Sequence, residues 1–247
     1  MAAGAGRGAG RGRGLPGLTG PAETAPGERA GGHAGPVREH LAALVDLVLP
    51  AGCAGCDAAP VPGRAWCPAC ADALRPPCAP RLPGGPRVRA AGPYTGPLRT
   101  ALLRYKERGR RDLARPLARE LAALLPAGPL HLVPAPSRPS AARARGGDHV
   151  LRLARTAAAG RRDVDVHPVL ALSGRARDSV GLDAAARTAN LAAHLRVRSA
   201  PPARVLLVDD VVTTGATLRA CRAVLAGAGA VTLGAVVLCD ATGRRGT

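Results

Sequence analysis

The chain has 247 residues, of which 47% are hydrophobic, enough for one full domain and a smaller appendage. Its core must be built from Ala, Leu and Val, because it contains no Phe, one Trp and two Tyr. A formal charge of +18 arises from 35 Lys and Arg against 17 Asp and Glu, which favours polyanionic partners such as nucleic acid or phosphorylated substrates. No apolar run approaches the roughly 18 residues of a membrane span, so a membrane-spanning protein is excluded.

The first part of the chain shows little sign of regular structure. Residues 1–36 are rich in Gly, Ala, Pro and Arg without apolar periodicity, which predicts a disordered tail; a nucleic-acid-binding arm is the alternative. The tail lacks the continuous apolar core of a signal peptide, so we expect a cytoplasmic protein. Residues 37–49 have apolar residues at helical spacing, ended by Pro50.

Four cysteines follow in two Cys-x-x-Cys pairs: Cys53, Cys56, Cys67 and Cys70. This spacing is typical of a four-cysteine zinc ribbon, in which a structural Zn²⁺ supplies the folding free energy of a very small unit. Two disulfides are the alternative, although the odd total of seven cysteines and the missing export signal argue against them. Cys78 is then an extra thiol or an alternate ligand. We expect residues 37–82 to form the predicted helix and the ribbon.

From residue 83 to residue 240, short apolar runs alternate with segments of helical periodicity. This alternation predicts an α/β domain with a mostly parallel sheet flanked by helices. Residues 241–247 are expected to fray. The predicted strands are Arg87–Tyr94, Leu130–Val133, Val164–Leu172, Arg204–Val208 and Ala230–Cys239, and the predicted helices are 97–106, Leu113–Leu125, a helix that follows His149 and ends at about 158, and Leu218–Leu225.

The only lysine of the chain, Lys106, is placed between the first two of these helices. Arginine occupies every other basic position, apart from the histidines. A retained lysine indicates a site that requires a compact ammonium group, since lysine and arginine differ in shape and hydrogen bonding. Chance is the alternative, because a single lysine must occur somewhere.

The stretch 205–217 carries the densest set of polar features. A buried strand leads to Asp209 and Asp210, and Thr213, Thr214 and Gly215 then precede a helix. Backbone N–H groups at a helix N-terminus can hold a phosphate, and carboxylates accept hydrogen bonds from ribose hydroxyls and help to hold Mg²⁺. The chain has neither a Walker P-loop nor a dinucleotide-binding glycine pattern. An incidental Asp-Asp pair in a strand–turn–helix is the alternative.

Positions 205–217 resemble, without departure, the PRPP-binding motif of type I phosphoribosyltransferases. This resemblance implies the type I phosphoribosyltransferase fold, with the ribose hydroxyls of PRPP on the acidic pair and its 5-phosphate on the loop. The PRPP-binding residues that it implies are Asp209, Asp210, Val211, Val212, Thr213, Thr214, Gly215, Ala216 and Thr217.

The stretch from Tyr105 to Asp112, together with the cysteine ribbon, resembles the ComF family of late competence proteins. The resemblance implies that Ser137 and Arg138 contact pyrophosphate. It further implies that Arg145 and Arg187 serve the same region, with residues 174–188 as a hood over PRPP; a solvated helix face is the alternative for the hood. Three residues depart from the family pattern, Gly147, Asp148 and His149, which occupy positions where the family has Phe, Asn and Gln.

We therefore expect a PRPP-binding, phosphoribosyltransferase-like enzyme that uses Mg²⁺ with PRPP and transfers phosphoribosyl to or from a nitrogenous acceptor. Asp209, Asp210 and Lys106 are its expected catalytic residues, and its expected role is in DNA uptake or nucleotide salvage. The alternative is a catalytically silent competence factor that binds single-stranded DNA or the uptake machinery. That alternative is weakened by the scarcity of aromatic residues for base stacking. A homodimer is left open.

Overall fold

The structure is a computed structural model that describes residues 52–58, 64–173, 191 and 193–244. The expected tail 1–36, the helix at 37–49, the hood 174–188 with Arg187, and residues 245–247 lie outside the described residues. Within the described part of the chain, no helix is long and apolar enough to cross a membrane.

A five-stranded sheet forms the centre of the domain, and all of its neighbouring strands run parallel. The strand order is β1-β7-β6-β2-β3, so the strand that carries the acidic pair is central. A separate antiparallel pair is formed by β4 and β5. The strands are β1 (Val88–Pro93), β2 (Leu130–Pro134), β3 (Val164–Val166), β4 (Leu170–Leu172), β5 (Leu195–Val197), β6 (Arg204–Val212) and β7 (Val231–Asp240).

Helices cover both faces of this sheet, which confirms the predicted α/β class of parallel sheet flanked by helices. Along β6, Val205 and Leu207 belong to one apolar core while Leu206 and Val208 belong to the other, as expected when successive side chains point to opposite faces. The helices are α1 (Pro68–Asp72), α2 (Gly96–Glu107), α3 (Ala114–Ala122), α4 (Pro139–Ala144), α5 (His149–Ala158) and α6 (Ala216–Gly227), with 3₁₀ turns at Arg111–Leu113 and Thr242–Arg244.

The first core lies against α2, α3 and α5, and the second lies against α6 and the small β4–β5 sheet. Both contain mainly Leu, Val and Ala, as the composition required. Short apolar side chains allow the helices to pack closely on the sheet. The two cores hold the carboxyl ends of β2 and β6 side by side, where an open α/β sheet binds its ligands.

Several predicted boundaries were wrong. Strand β6 was expected to end at Val208 but continues to Val212, because Asp209 and Val211 still pair with β7. The expected strand Val164–Leu172 is two strands in different sheets, β3 and β4, with Pro168 between them. The helix predicted at 97–106 extends one residue further at each end, from Gly96 to Glu107, so Lys106 lies in its last turn.

The cysteine-bearing segment packs on α2 and α3. Ala54 is buried in the first core, and Trp66 donates its indole N–H to Glu120 of α3 at 3.2 Å. The Asp57 carboxylate lies 2.9 Å from a guanidinium nitrogen of Arg110 and 3.5 Å from one of Arg104. The cysteine-bearing segment therefore contacts the helix whose last turn presents Lys106.

Candidate functional site

A cavity of about 340 Å³ opens at the carboxyl ends of β2 and β6. It brings together, from four separate segments, all of the predicted ribose, phosphate and pyrophosphate residues that the structure describes; Arg187 lies outside the described part of the chain. The predicted residues that line it are Lys106, Ser137, Arg138, Arg145, Asp209, Asp210, Val211, Val212, Thr213, Thr214, Gly215, Ala216 and Thr217.

The acidic pair is divided by the pleat of β6. Because adjacent side chains of a strand point to opposite faces, Asp210 points toward α2 and α5, whereas Asp209 lies on the face of α6. Asp210 is buried, and Asp209 is half-buried and lines the cavity. One oxygen of Asp209 accepts a hydrogen bond from the Asp210 backbone N–H at 2.8 Å. Asp209 is therefore the carboxylate that is more open to a ligand.

Two cationic or polar side chains hold Asp210 in place. The Lys106 ammonium lies 2.7 Å from Oδ2 of Asp210, and Nε2 of His149 makes a short hydrogen bond to the same oxygen. Burial alone would raise the pKa of Asp210, but the hydrogen bond from His149 and the charge of Lys106 outweigh it, and the pKa lies below its usual range. Asp210 is thus held as a carboxylate.

Asp209 has the opposite electrostatic environment. Burial, followed by repulsion from the neighbouring Asp210 charge, raises the pKa of Asp209 to about 8. The hydrogen bond from the Asp210 N–H and the charge of Lys106 lower the pKa but do not compensate. Two adjacent carboxylates in one enclosed site repel each other when both are ionised. A cation or a hydrogen-bond donor from a ligand would therefore stabilise the ionised form of Asp209.

His149 begins α5 and connects the acidic pair to the loop after β2. Its Nδ1 atom lies 3.1 Å from the Ser137 hydroxyl and 3.5 Å from a guanidinium nitrogen of Arg145. If Nε2–H donates to Asp210, Nδ1 is left to accept from these donors, since a neutral imidazole has one donor and one acceptor. Sequence reasoning had treated His149 only as a departure from a family pattern.

Asp148 fixes the geometry of the same loop. It caps the N-terminus of α5 by accepting from the backbone N–H groups of Val150 and Leu151. Its other oxygen accepts from the backbone N–H of Ser137 at 2.8 Å, and the Ser137 hydroxyl lies 3.1 Å from Oδ1. Asp148 therefore has a structural role in holding the Ser137 loop, which the sequence did not indicate.

The loop after β6 has the geometry of an anion cradle. Gly215 adopts a left-handed conformation with φ of 73° immediately before α6, a region that L side chains rarely adopt. The hydroxyl of Thr214 accepts from the N–H of Ala216 at 3.2 Å, and Thr213 is exposed. Helix α6 has 12 residues, so its N-terminal dipole favours an anion at this turn.

The four predicted metal cysteines form one cluster, in which all sulfur atoms lie within 4.8 Å of one another. The sulfur atoms of Cys56 and Cys67 are 3.7 Å apart. Four thiolates at about 2.3 Å from a tetrahedral Zn²⁺ lie about 3.8 Å from each other, so the cluster fits that ion. Cys78 is outside this cluster; it bridges Ala90 on β1 through backbone hydrogen bonds.

The thiols of this cluster differ in their environments. Burial raises the pKa of Cys53, but the backbone N–H groups of Cys67, Cys56 and Gly55 donate hydrogen bonds to its sulfur and lower the pKa by more. The pKa of Cys53 is therefore lowered to about 6. Burial and the neighbouring thiols raise the pKa of Cys70. Gly55 approaches so closely that an added Cβ would lie 2.8 Å from the Cys70 sulfur. The backbone is thus wrapped around the sulfurs, as a metal knuckle requires.

Comparisons with known proteins point to the second half of the chain. The sequence model of the phosphoribosyl transferase domain matches residues 173–246. No curated protein matches the chain.

Several solved structures resemble part of the chain, and three of them are described here. A hypoxanthine phosphoribosyltransferase from Trypanosoma cruzi, complexed with the product IMP, shares 22% identity, covers 55% of this chain and 69% of its own, and has a TM-score of 0.32. A second, from Staphylococcus aureus, shares 17% identity over 57% of this chain and 67% of its own, with a TM-score of 0.33. A structure described as a glutamine mutant of an invariant aspartic acid in HPRTs shares 21% identity over 57% of this chain and 73% of its own, with a TM-score of 0.31.

Proposed function

We propose that this protein binds PRPP with Mg²⁺ and transfers its phosphoribosyl group to or from a nitrogenous acceptor. The observation that carries the proposal is a single cavity in which an acidic pair, an anion-binding helix N-terminus and three basic side chains meet. The match of residues 173–246 to the phosphoribosyl transferase domain supports the same reaction class. The ComF family, a cytoplasmic location and a structural Zn²⁺ on the four cysteines are part of this proposal.

In this proposal the two carboxylates have different tasks. Asp209 lines the cavity and would accept hydrogen bonds from the ribose hydroxyls. Asp210 would hold the Lys106 ammonium and the His149 imidazole at the floor of the site. Carboxylate oxygens are also the ligands that Mg²⁺ prefers, and Mg²⁺ bound with PRPP would neutralise part of the pyrophosphate charge.

The anionic ends of PRPP find donors on both sides of the cavity. The 5-phosphate would lie on the loop Thr213–Thr217 at the N-terminus of α6. The pyrophosphate would lie near Ser137, Arg138 and Arg145, and Lys106, which lines the same cavity, would add a further positive charge. Three cationic side chains in one cavity offset the repulsion between the acidic pair and the anionic ligand.

In the proposed reaction, the bond from ribose C1 to the pyrophosphate oxygen breaks and pyrophosphate leaves with the bonding electron pair. A nitrogen atom of the acceptor donates a pair to C1, and that nitrogen loses a proton to solvent or pyrophosphate. Carboxylates beside C1 stabilise the positive charge that develops there, so no protein nucleophile is required.

Calorimetric titration of the zinc-loaded protein with PRPP and Mg²⁺ tests the binding step. We expect binding that is lost in the double variant Asp209→Asn, Asp210→Asn and retained in the control Asp72→Asn, which alters an exposed carboxylate of α1. Equal affinity in the double variant would contradict the proposed site. Release of pyrophosphate in the presence of a panel of purine and pyrimidine bases then tests transfer.

Single-stranded DNA binding is the second candidate function, and the charge of +18 favours it. Stacking support is weak, because Tyr105 is buried and donates its hydroxyl to the His149 carbonyl at 3.2 Å, while Trp66 packs against the first core. If the protein binds DNA but not PRPP, and DNA affinity falls steeply with salt and is unchanged in the double variant, this function replaces the first.

A further inference from the structure

Three side chains with metal-ligating atoms meet at the edge of the central sheet, away from the candidate site. His131 of β2 and Asp165 of β3 are direct partners on neighbouring parallel strands, and His167 follows two residues after Asp165. One ligand atom from each of the three lies within 4.8 Å of the others. His131 stands three residues, about 10 Å along the strand, before Pro134 at the other end of β2.

We propose that His131, Asp165 and His167 form a second metal site, which takes a divalent transition cation such as Zn²⁺, Co²⁺ or Ni²⁺. Two imidazoles and one carboxylate are a donor set that suits these ions. Three protein ligands would leave one or more positions of the ion for water or another ligand.

The distances between the donor atoms fit this assignment. Nδ1 of His131 lies 3.1 Å from Nε2 of His167. Two nitrogen atoms that each lie about 2.05 Å from one ion are about 2.9 Å apart at a right angle and about 3.4 Å apart at a tetrahedral angle. The carboxylate of Asp165 is 4.0 Å from Nδ1 of His131, and it is 70% exposed, so a small rotation of this side chain can complete the site.

The backbone holds the site ready before any ion binds. Residues Leu130 to Leu132 pair in register with Val164 to Val166, and the N–H of His167 donates to the carbonyl of Leu132 at 2.8 Å. The three ligands therefore need to lose little backbone freedom on binding. Rigid elements position ligands more accurately than loops do.

The charge environment of Asp165 also differs from that of several other acidic residues. The chain carries 35 basic residues against 17 acidic ones, and Asp57, Asp112 and Asp163 each pair with an arginine. Among the described residues, the only ion-pair partner of Asp165 is His131. A carboxylate beside two imidazoles, without an arginine, is a place where a cation binds without competition from a guanidinium.

The alternative is a simple hydrogen bond between two neutral imidazoles, which also fits a distance of 3.1 Å and their edge-to-face rings. The two accounts differ in metal uptake. If the three side chains bind a metal ion, the ion links the edge strand β3 to β2 and raises the melting temperature. If the two imidazoles are only hydrogen-bonded to each other, added metal ion does not bind there and the melting temperature does not change.

The test uses the full chain without a histidine tag, first given one equivalent of Zn²⁺ per chain, so that this ion fills the four-thiolate cluster, the stronger zinc site, and leaves the second site empty. Co²⁺ replaces Zn²⁺ poorly at such a site, so added Co²⁺ reports on further sites. We expect one additional Co²⁺ per chain by calorimetry, with no thiolate-to-cobalt charge-transfer band and with a higher melting temperature.

The variants His131→Gln and His167→Gln should each bind Co²⁺ at least about tenfold more weakly, since even partners outside the first coordination sphere cost about 10–100-fold. Asp165→Asn, at an exposed position, gives a variant that should fold normally and also bind more weakly. The controls are His194→Gln and Asp163→Asn, whose side chains belong to neither cysteine nor histidine cluster.

Unchanged affinity in all three ligand variants would overturn the proposal. Equal loss in the two controls would overturn it too, as would Co²⁺ uptake that occurs only with thiolate bands. Retained uptake in the controls with loss in the ligand variants would establish the site, whether or not PRPP binding at the other end of the sheet is confirmed.

Discussion

Asp209 and Asp210 are neighbours in the chain, but their carboxylates have different partners. Asp210 is buried between Lys106 and His149, and these two side chains keep it ionised. Burial and the charge of Asp210 outweigh the influences that lower the pKa of Asp209, so Asp209 carries the raised pKa of the pair. The folded protein therefore holds a proton on Asp209 more tightly than the unfolded chain does.

This difference predicts how stability depends on pH. Because the pKa of Asp209 rises from 3.8 in the unfolded chain to about 8 in the folded one, folding stability declines as pH increases across this window. Above the higher value the loss is complete. Asn cannot ionise, so the variant Asp209→Asn should lack this part of the decline.

We compare the free energy of unfolding of Asp209→Asn with that of the wild type at about pH 5 and at about pH 8.5. The difference should shift in favour of the variant by about 1–3 kcal/mol as the pH is raised from the lower to the higher value. Urea unfolding at both pH values measures the gain. Asp72→Asn is the control, and it should follow the wild type at both. A stability difference between wild type and Asp209→Asn that is independent of pH would show that Asp209 has an ordinary pKa.

At the scale of the element, the turn from β6 into α6 depends on one backbone conformation. Gly215 has φ of 73°, and an added Cβ would lie 2.7 Å from Cδ1 of Leu82. Gly229 also has a positive φ, of 82°, but an added Cβ there meets nothing within 4 Å. The two glycines share the backbone requirement and differ in the space around them.

We therefore expect Gly215→Ala and Gly229→Ala each to lose about 1–2 kcal/mol of stability, the usual cost of a left-handed L residue. Only Gly215→Ala should also weaken PRPP binding, because it displaces the N–H groups of the anion-binding turn. Urea unfolding and calorimetry measure the two effects. Equal PRPP affinity in both variants would mean that the turn does not hold the phosphate.

The elements of the sheet were largely predictable, because their apolar runs are short and bounded by turn residues. Helix α5 was predicted after His149 with an end at about Ala158, and in the structure it begins one residue earlier, at His149; β1 was predicted at the edge of the sheet. The end of β6 was not predicted correctly. The polar residues Asp209 and Asp210 indicate the end of a strand in the sequence, but hydrogen bonding to β7 continues past them and sets the boundary. Strand β5, which pairs with β4, is only three residues long and carries too little periodicity to be found.

The candidate site was predictable where it is local in sequence. Residues 205–217 contain the strand, the acidic pair and the loop in one stretch, and they line one cavity. The contact between His149 and Asp210 joins residues 61 positions apart, and no local pattern reports it. The sequence does show a histidine directly after an aspartate that caps a helix. It does not show that this histidine contacts Asp210, because the packing of α5 on β6 brings the two together.

At the scale of the whole molecule, the cysteine segment and the candidate site are connected through α2. Asp57 follows Cys56 and pairs with Arg104 and Arg110, while Lys106 lies between those two arginines in sequence and contacts Asp210. The segment is too short for a core of its own, so we expect its conformation to depend on the proposed metal. A change at the cysteines should therefore reach the end of α2.

Removal of Zn²⁺ tests this connection. We expect a chelator, or the variant Cys67→Ser, to lower the stability by several kcal/mol, because a structural zinc supplies folding free energy directly. PRPP affinity should fall as well, since the loss of the Asp57 contacts frees the helix end that positions Lys106. Cys78→Ser is the matched control, because Cys78 lies outside the cluster.

Added Zn²⁺ should restore both properties after chelation. If the zinc-free protein binds PRPP as tightly as the loaded one, the ribbon is independent of the site, and Lys106 is positioned by the packing of α2 on the sheet alone.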